Sequence, residues 1–234
     1  MNIKNIFKRY ELKYLISTST YLNLMNYMES YMSEDEYGKT LISNIYYDTS
    51  DFRLIRNSIE KPDYKEKLRL RCYGNVTSDS IAFIELKKKY DSVVYKRRVS
   101  MNINLAEIQL LNNFRTANSQ IEKEINYFMN FYDSLAPKML IGYERQAYFD
   151  KSNENFRVTF DKNICYRGYD LDLKSGLYGT GILPANTVLM EIKTADSLPL
   201  WMTSFLTENK IYKTTFSKYG KAYENNLYKS GVAV

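Results

Sequence analysis

Histidine is absent from this 234-residue chain. That removes Ser-His-Asp and Cys-His catalysis and imidazole-ligated zinc together. Any chemistry has to run on carboxylates, Lys, Arg, Tyr or a metal held by oxygen. Only two cysteines occur, Cys72 and Cys165. They lie far apart in the chain and have no CxxC partner, so they read as two buried thiols of a reducing compartment. No run of about 18 apolar residues marks a membrane helix, and residues 1–8 lack the apolar core of a signal peptide. A soluble, cytoplasmic protein is expected. Pro/Ser-rich linkers, internal repeats and low-complexity tails are missing as well, which leaves a single domain over residues 1–234.

What is present is charge and tyrosine. Lys and Arg number 33 against 27 Asp and Glu, a net charge of +6 that favours an anionic partner. The 23 tyrosines and scarce glycine reflect an AT-rich genome more than function.

Periodicity predicts mostly strands in the first half: residues 6–16, 41–48, 64–74, 81–90 and 93–101, the last two joined at Tyr90-Asp91-Ser92. A helix over 18–32, capped by Ser17 or Thr18, carries Leu22, Met25, Met28 and Met32 along one stripe. A short helical turn follows near Asp51–Arg56. Helices are expected at 104–113 and 119–133, the second with Ile121, Ile125, Phe128 and Tyr132 at helical spacing. Strands return at 138–150, 155–166 and 187–194. Helices at 198–208 and 215–229 end the chain, with Phe216, Tyr219, Tyr223 and Leu227 on the inner face of the last.

The informative feature is which residues alternate, because every second residue of a strand shares a face. One face gathers Arg9, Glu11 and Lys13, then Lys67, Arg69 and Arg71, then Glu85, Lys87 and Lys89. Lys96 and Arg98 share a face, as do Tyr143 and Arg145; so do Arg157, Thr159 and Asp161, and so do Glu191 and Lys193. Leu, Ile, Val and Met occupy most of the alternate positions. A polar face is ordinary in a half-exposed antiparallel sheet, but like charges on neighbouring strands repel. So dense a basic face needs an anion or water to screen it. Either an open sheet displays that face to solvent, or a barrel closes with helices outside and charges inside.

The ordered motifs Arg9-Tyr-Glu-Leu-Lys13, Ser43-Asn-Ile-Tyr-Tyr-Asp48, Lys67-Leu-Arg69-Leu-Arg71, Glu85-Leu-Lys87, Lys96-Arg97-Arg98, Gly142-Tyr143-Glu144-Arg145, Glu191-Ile-Lys193 and Phe216-Ser217-Lys218 together carry a family resemblance. The chain resembles, over about residues 6–225, the catalytic domain of the VTC polyphosphate polymerases in their stand-alone bacterial form, within the triphosphate tunnel metalloenzymes. The resemblance implies an α+β fold: a closed antiparallel β-tunnel of about eight strands with helices outside and a C-terminal helix. It also implies an ATP-dependent transferase that moves the γ-phosphate onto a growing polyphosphate chain, with Mn²⁺ or Mg²⁺ as cofactor. By position it implies that Arg69, Arg71, Lys87, Lys96 and Arg145 are catalytic. Phosphate would be held by Lys13, Arg98, Tyr143, Arg157, Lys193, Ser217 and Lys218, and the metal by Glu191. Relatives that hydrolyse triphosphates carry Glu-x-Glu-x-Lys on the first strand, whereas position 9 here is Arg, which favours the polymerase branch. The eukaryotic polymerases attach an inositol-phosphate-sensing domain and membrane helices. With few residues before the first strand, neither is expected in this chain.

Glu11 and Glu85 read as ion-pair partners that orient the basic residues, Arg97 as a solvated residue on the opposite face, and the Tyr stripe of the last helix as core. Two other functions stay open: a triphosphatase on the same fold, and a nonspecific nucleic-acid binder. Against the second, Lys and Arg are spread over many strands with few stacking aromatics on their face.

Overall fold

The structure, a computed structural model, describes residues 10–91, 93–114, 117–132 and 134–230. Residues 6–9 of the expected first strand (Arg9 included), Ser92, Asp133 and the side chain of Leu227 lie outside the described residues. The chain begins with β1 (Tyr10–Ser17), α1 (Thr18–Met28), β2 (Met32–Asp48), α2 (Arg53–Ile59), β3 (Tyr64–Tyr73), β4 (Ile81–Tyr90) and β5 (Val93–Asn102). It continues through α3 (Ile103–Leu111), α4 (Gln120–Phe131), β6 (Ala136–Asp150), β7 (Arg157–Arg167), β8 (Thr180–Gly181), β9 (Thr187–Thr194), α5 (Leu200–Glu208) and α6 (Lys218–Ser230). The fold is α+β, with one antiparallel sheet whose strands follow the order β1-β9-β7-β6-β2-β3-β4-β5, β8 lying on β7.

That path ends at β1 and β5, and among the described residues no ladder joins them: the sheet is not closed by hydrogen bonds. The outward edge of β1 is met instead by one isolated bridge, in which Thr214 donates its N–H to the Lys13 carbonyl at 2.8 Å. At the other end, β5 is largely exposed and carries Lys96, Arg97 and Arg98, charges of the kind that keep an edge strand from pairing further.

The chain divides into two compact units. The first comprises residues up to 40, 143–164 and 183–216. Its core joins the alternate face of β1 (Tyr14, Ile16), β7 (Val158, Phe160) and β9 (Met190, Ile192) to α1 and α5 through Tyr21, Leu24, Met28, Met202 and Phe205. Ser17 caps α1, its hydroxyl accepting from the Thr20 N–H at 3.0 Å. This helix ends at Met28, four residues before the expected end. Its buried stripe is Tyr21, Leu24 and Met28, while Leu22 is exposed. Met32 already belongs to β2, so the register of the stripe is shifted from the one expected.

The second unit comprises residues 41–142, 165–182 and 217 onward. Leu68, Leu70, Cys72, Ile84 and Leu86 are fully buried and pack with Ile103, Ala106 and Leu110 of α3 and Ile125, Phe128 and Met129 of α4. Each such aliphatic side chain contributes about 2 kcal/mol of burial. Helix α4 starts with a complete capping box between Ser119 and Glu122. Cys72 is buried, Cys165 partly so, and both are free thiols.

Candidate functional site

Within the second unit, β2, β3, β4 and β5 are locked in a register that aligns rows of one face. Tyr46, Arg69, Glu85 and Arg98 share a row, and Lys67, Lys87 and Lys96 the next. At the centre stands Glu85, whose side chain is only 1% exposed. Arg69 Nη2 lies 2.6 Å from Glu85 Oε2, Lys96 Nζ 2.5 Å and Arg98 Nε 3.3 Å from Oε1, with Arg71 Nε at 3.8 Å from Oε2. One buried carboxylate of β4 thus organises four cations from the two flanking strands, β3 and β5.

Burial alone would raise the Glu85 carboxyl. Arg69, Arg71 and Lys96 outweigh it and hold the group down to about 2. A second ring of polar side chains orients the guanidinium groups. Arg71 donates to Asn44 Oδ1 at 2.7 Å, and Arg69 to the Tyr46 hydroxyl at 3.2 Å. Arg98 lies 3.6 Å over the Phe83 ring and donates to the Tyr73 hydroxyl at 3.3 Å. Although burial favours neutral phenols, the Tyr46 value is lowered by Arg69 and Arg71 with help from Lys218, and that of Tyr73 by Arg71 and Arg98 against Glu85.

Ser217 stands at the start of α6 as its cap: its hydroxyl accepts from Gly220 N–H at 3.1 Å and from Lys67 Nζ at 3.2 Å. What remains for a ligand is its O–H proton. Tyr46 stacks on Tyr219 at 4.5 Å, and Tyr219 donates to the buried Asp48 at 2.9 Å. Asp48 in turn accepts from the N–H groups of Thr49, Leu54 and Ile55 and so anchors the start of α2. The tyrosine stripe of α6 is therefore core with a polar anchor.

The first unit holds a second cluster. Register places Lys13, Glu191 and Thr159 in one row, and Glu11, Lys193 and Arg157 in the next. Lys13 Nζ lies 3.5 Å from Glu191 Oε1 and 3.4 Å from Glu11 Oε1, and donates to the Phe216 carbonyl at 2.9 Å. Arg145 grips Asp161 with two hydrogen bonds of 2.6 and 2.7 Å and reaches Glu191 Oε2 at 3.2 Å. Its guanidinium stands 5.3 Å from the ring centre of buried Tyr143. Burial opposes its charge, yet Tyr143, Asp161 and Glu191 hold Arg145 well above the ordinary value.

The structure thus gathers Arg69, Arg71, Lys96 and Arg98 around Glu85, and Lys13, Arg145 and Tyr143 around Glu191. Lys87 and Lys193 keep their places in the adjoining rows. Arg157 is turned to Asp35 at the outer half of β2 and is half exposed. Arg97 is not simply solvated: it pairs with Glu124 of α4 at 2.6 Å, because its face of β5 is the one that α4 covers. Asn44, Tyr46, Tyr73 and Asp161 belong to the clusters although sequence reasoning did not assign them a role. For Asn44 and Tyr46 the signal was there, since they alternate with the core residues Ile45 and Tyr47 on β2.

A family model described as the VTC domain matches residues 8–226. None of the curated proteins matches the chain. Among solved structures, it is similar to a candidate adenylate cyclase from Bacillus halodurans (15% identity over 88% of this chain and 92% of that one, TM-score 0.54). It is likewise similar to a candidate adenylyl cyclase from Hippeastrum with a dominant triphosphatase activity (16% identity, 97% and 98% covered, TM-score 0.52). A Pyrococcus horikoshii protein shows 12% identity with 93% and 99% covered and a TM-score of 0.50. At such identities the likeness shows the fold alone, the one common to triphosphate tunnel proteins.

Proposed function

This chain belongs to the VTC domain family, and from that premise we propose that it is a metal-dependent polyphosphate polymerase that transfers the γ-phosphate of ATP to a growing polyphosphate chain. The family and the shared fold mark it more broadly as a triphosphate tunnel enzyme acting on nucleotide or polyphosphate. The observation that carries the finer reading is Glu85 with its four cations. A buried carboxylate that fixes Arg69, Arg71, Lys96 and Arg98 on one face makes a preorganised array for a ligand with about one negative charge per repeat.

Phosphoryl transfer asks for positioning and charge neutralisation more than covalent help. Arg69, Arg71, Lys87, Lys96 and Arg98 would bind phosphate oxygens, as would Lys13, Tyr143, Arg145, Arg157 and Lys193 in the other unit. The Ser217 hydroxyl and Lys218 would add contacts at the start of α6. A terminal oxygen of the chain attacks the γ-phosphorus, the bond to the β,γ-bridging oxygen breaks, and ADP leaves. The attacking oxygen is already anionic, so a chain without histidine lacks nothing for this step.

Triphosphate tunnel enzymes generally use divalent metal ions. Among the described residues no three His, Cys, Asp or Glu side chains stand together as a metal cage. Glu191, a buried carboxylate that shares Lys13 with Glu11 and Arg145 with Asp161, suits an ion that takes one protein ligand and completes its shell with water and phosphate oxygens, as Mg²⁺ and Mn²⁺ do. Held by Glu191, such an ion would supply charge neutralisation on the nucleotide phosphates.

A triphosphatase is the second reading, favoured by the activity of the Hippeastrum neighbour; Arg at position 9, where hydrolysing relatives carry Glu, speaks for the polymerase. Incubation with ATP and Mn²⁺ followed by gel analysis separates them. Long polyphosphate is expected, and free phosphate alone would select the triphosphatase. Arg69→Ala and Glu191→Ala should each abolish product while circular dichroism stays that of the wild type. Continued synthesis by either variant would overturn its assignment.

A further inference from the structure

We propose that Thr159 is a phosphate-binding residue of the Glu191 cluster, its hydroxyl donating to a non-bridging oxygen of the phosphate held by Lys13 and Arg145. The inference rests on the reading that this cluster binds polyphosphate or triphosphate, and it adds a neutral side chain to a set otherwise chosen by charge.

Three observations carry it. Thr159 is 3% exposed, and its Oγ1 is buried without a hydrogen-bonding partner among the described residues. An orphaned hydroxyl inside a protein costs free energy that a partner would recover. Second, the register gives Thr159 as the ladder partner of Glu191, itself the partner of Lys13, so the three side chains leave the sheet on the same side. Third, the nearby acceptors are already engaged. Glu191 faces Lys13 with Oε1 and Arg145 with Oε2, and Asp161 takes two hydrogen bonds from Arg145. The Thr159 hydroxyl is thus left with a proton to donate, and no acceptor for it stands among the described residues. Lys13 and Arg145, both drawn to Glu191 beside this row, are the cations that would bring an anionic oxygen to it.

A merely structural threonine predicts something different. Replacing an unpartnered buried hydroxyl by a methyl group of the same shape is neutral or stabilising. The full chain and its Thr159→Val and Thr159→Ser variants should be titrated calorimetrically with tripolyphosphate in the presence of Mg²⁺ and melted without ligand. The valine variant is expected to melt at or above the wild-type temperature and to bind tripolyphosphate about ten- to a hundredfold more weakly, the loss of one hydrogen bond to a charged group. The serine variant is expected to stay within several-fold of wild type. If the wild type binds and the valine variant binds equally well, the inference falls while the functional reading stands. A valine variant that melts well below wild type would show a structural hydrogen bond and overturn the inference as well. If the wild type fails to bind tripolyphosphate, the functional reading itself falls and takes this one with it.

Discussion

At Glu85 two large effects oppose each other, and charge wins over burial. The carboxyl is held near 2, below its ordinary 4.5, by Arg69, Arg71 and Lys96. A group lowered on folding stabilises the protein fully above pH 4.5, and that stabilisation is lost as pH falls toward 2. The difference corresponds to about 3 kcal/mol. Melting temperature measured from pH 7 to pH 2 should therefore fall steeply below pH 4.5. In Glu85→Gln the melt should start lower at pH 7 and lose the part of that slope owed to Glu85. An unchanged acid slope in the variant would show that the array is not held by Glu85. The residue was legible as an ion-pair partner because it alternates with Ile84 and Leu86. That it serves four cations was not legible, since cross-strand register comes from pairing, not from one strand's pattern.

Elements are where sequence reading succeeded unevenly. Strand β9 has the bounds that alternation gives, and β3, β4 and β5 differ by at most a residue. The outer half of β2, residues 32–40, was not anticipated because Ser33-Glu34-Asp35-Glu36 has neither apolar alternation nor β propensity. Its pairing comes from neighbours that local sequence does not name. The starts of α2 and α6 are set by side chains instead: Asp48 accepts three backbone N–H groups and the Tyr219 hydroxyl, and Ser217 caps α6. Urea unfolding should therefore show Ser217→Ala less stable by about 1 kcal/mol, as for a lost helix cap. Asp48→Ala should lose about 3 kcal/mol or more, because several buried donors are left without an acceptor. Equal losses would mean that the Asp48 network is redundant.

At the scale of the whole molecule, alternation tells which side of each strand carries charge, and that much was legible for the strands of each unit taken by itself. Where the strand path ends was not legible. Closure depends on whether the first and last strands meet, and here β1 takes Thr214 on its edge while β5 ends the path. A binding face built from many Lys and Arg side chains is screened by salt. Tripolyphosphate affinity should drop several-fold between 50 and 200 mM KCl, over which the Debye length falls from about 14 to about 7 Å. A salt-independent affinity would point to a neutral pocket elsewhere.

The free edge of β5 joins two properties in one strand. Its basic run follows exposed Val93, Val94 and Tyr95, so electrostatic repulsion is what discourages a second molecule from extending the ladder. A polyanion bound along Lys96 and Arg98 would quench that repulsion. The longer the bound polyanion, the less this strand would be guarded, and self-association would rise with the length of the polyanion.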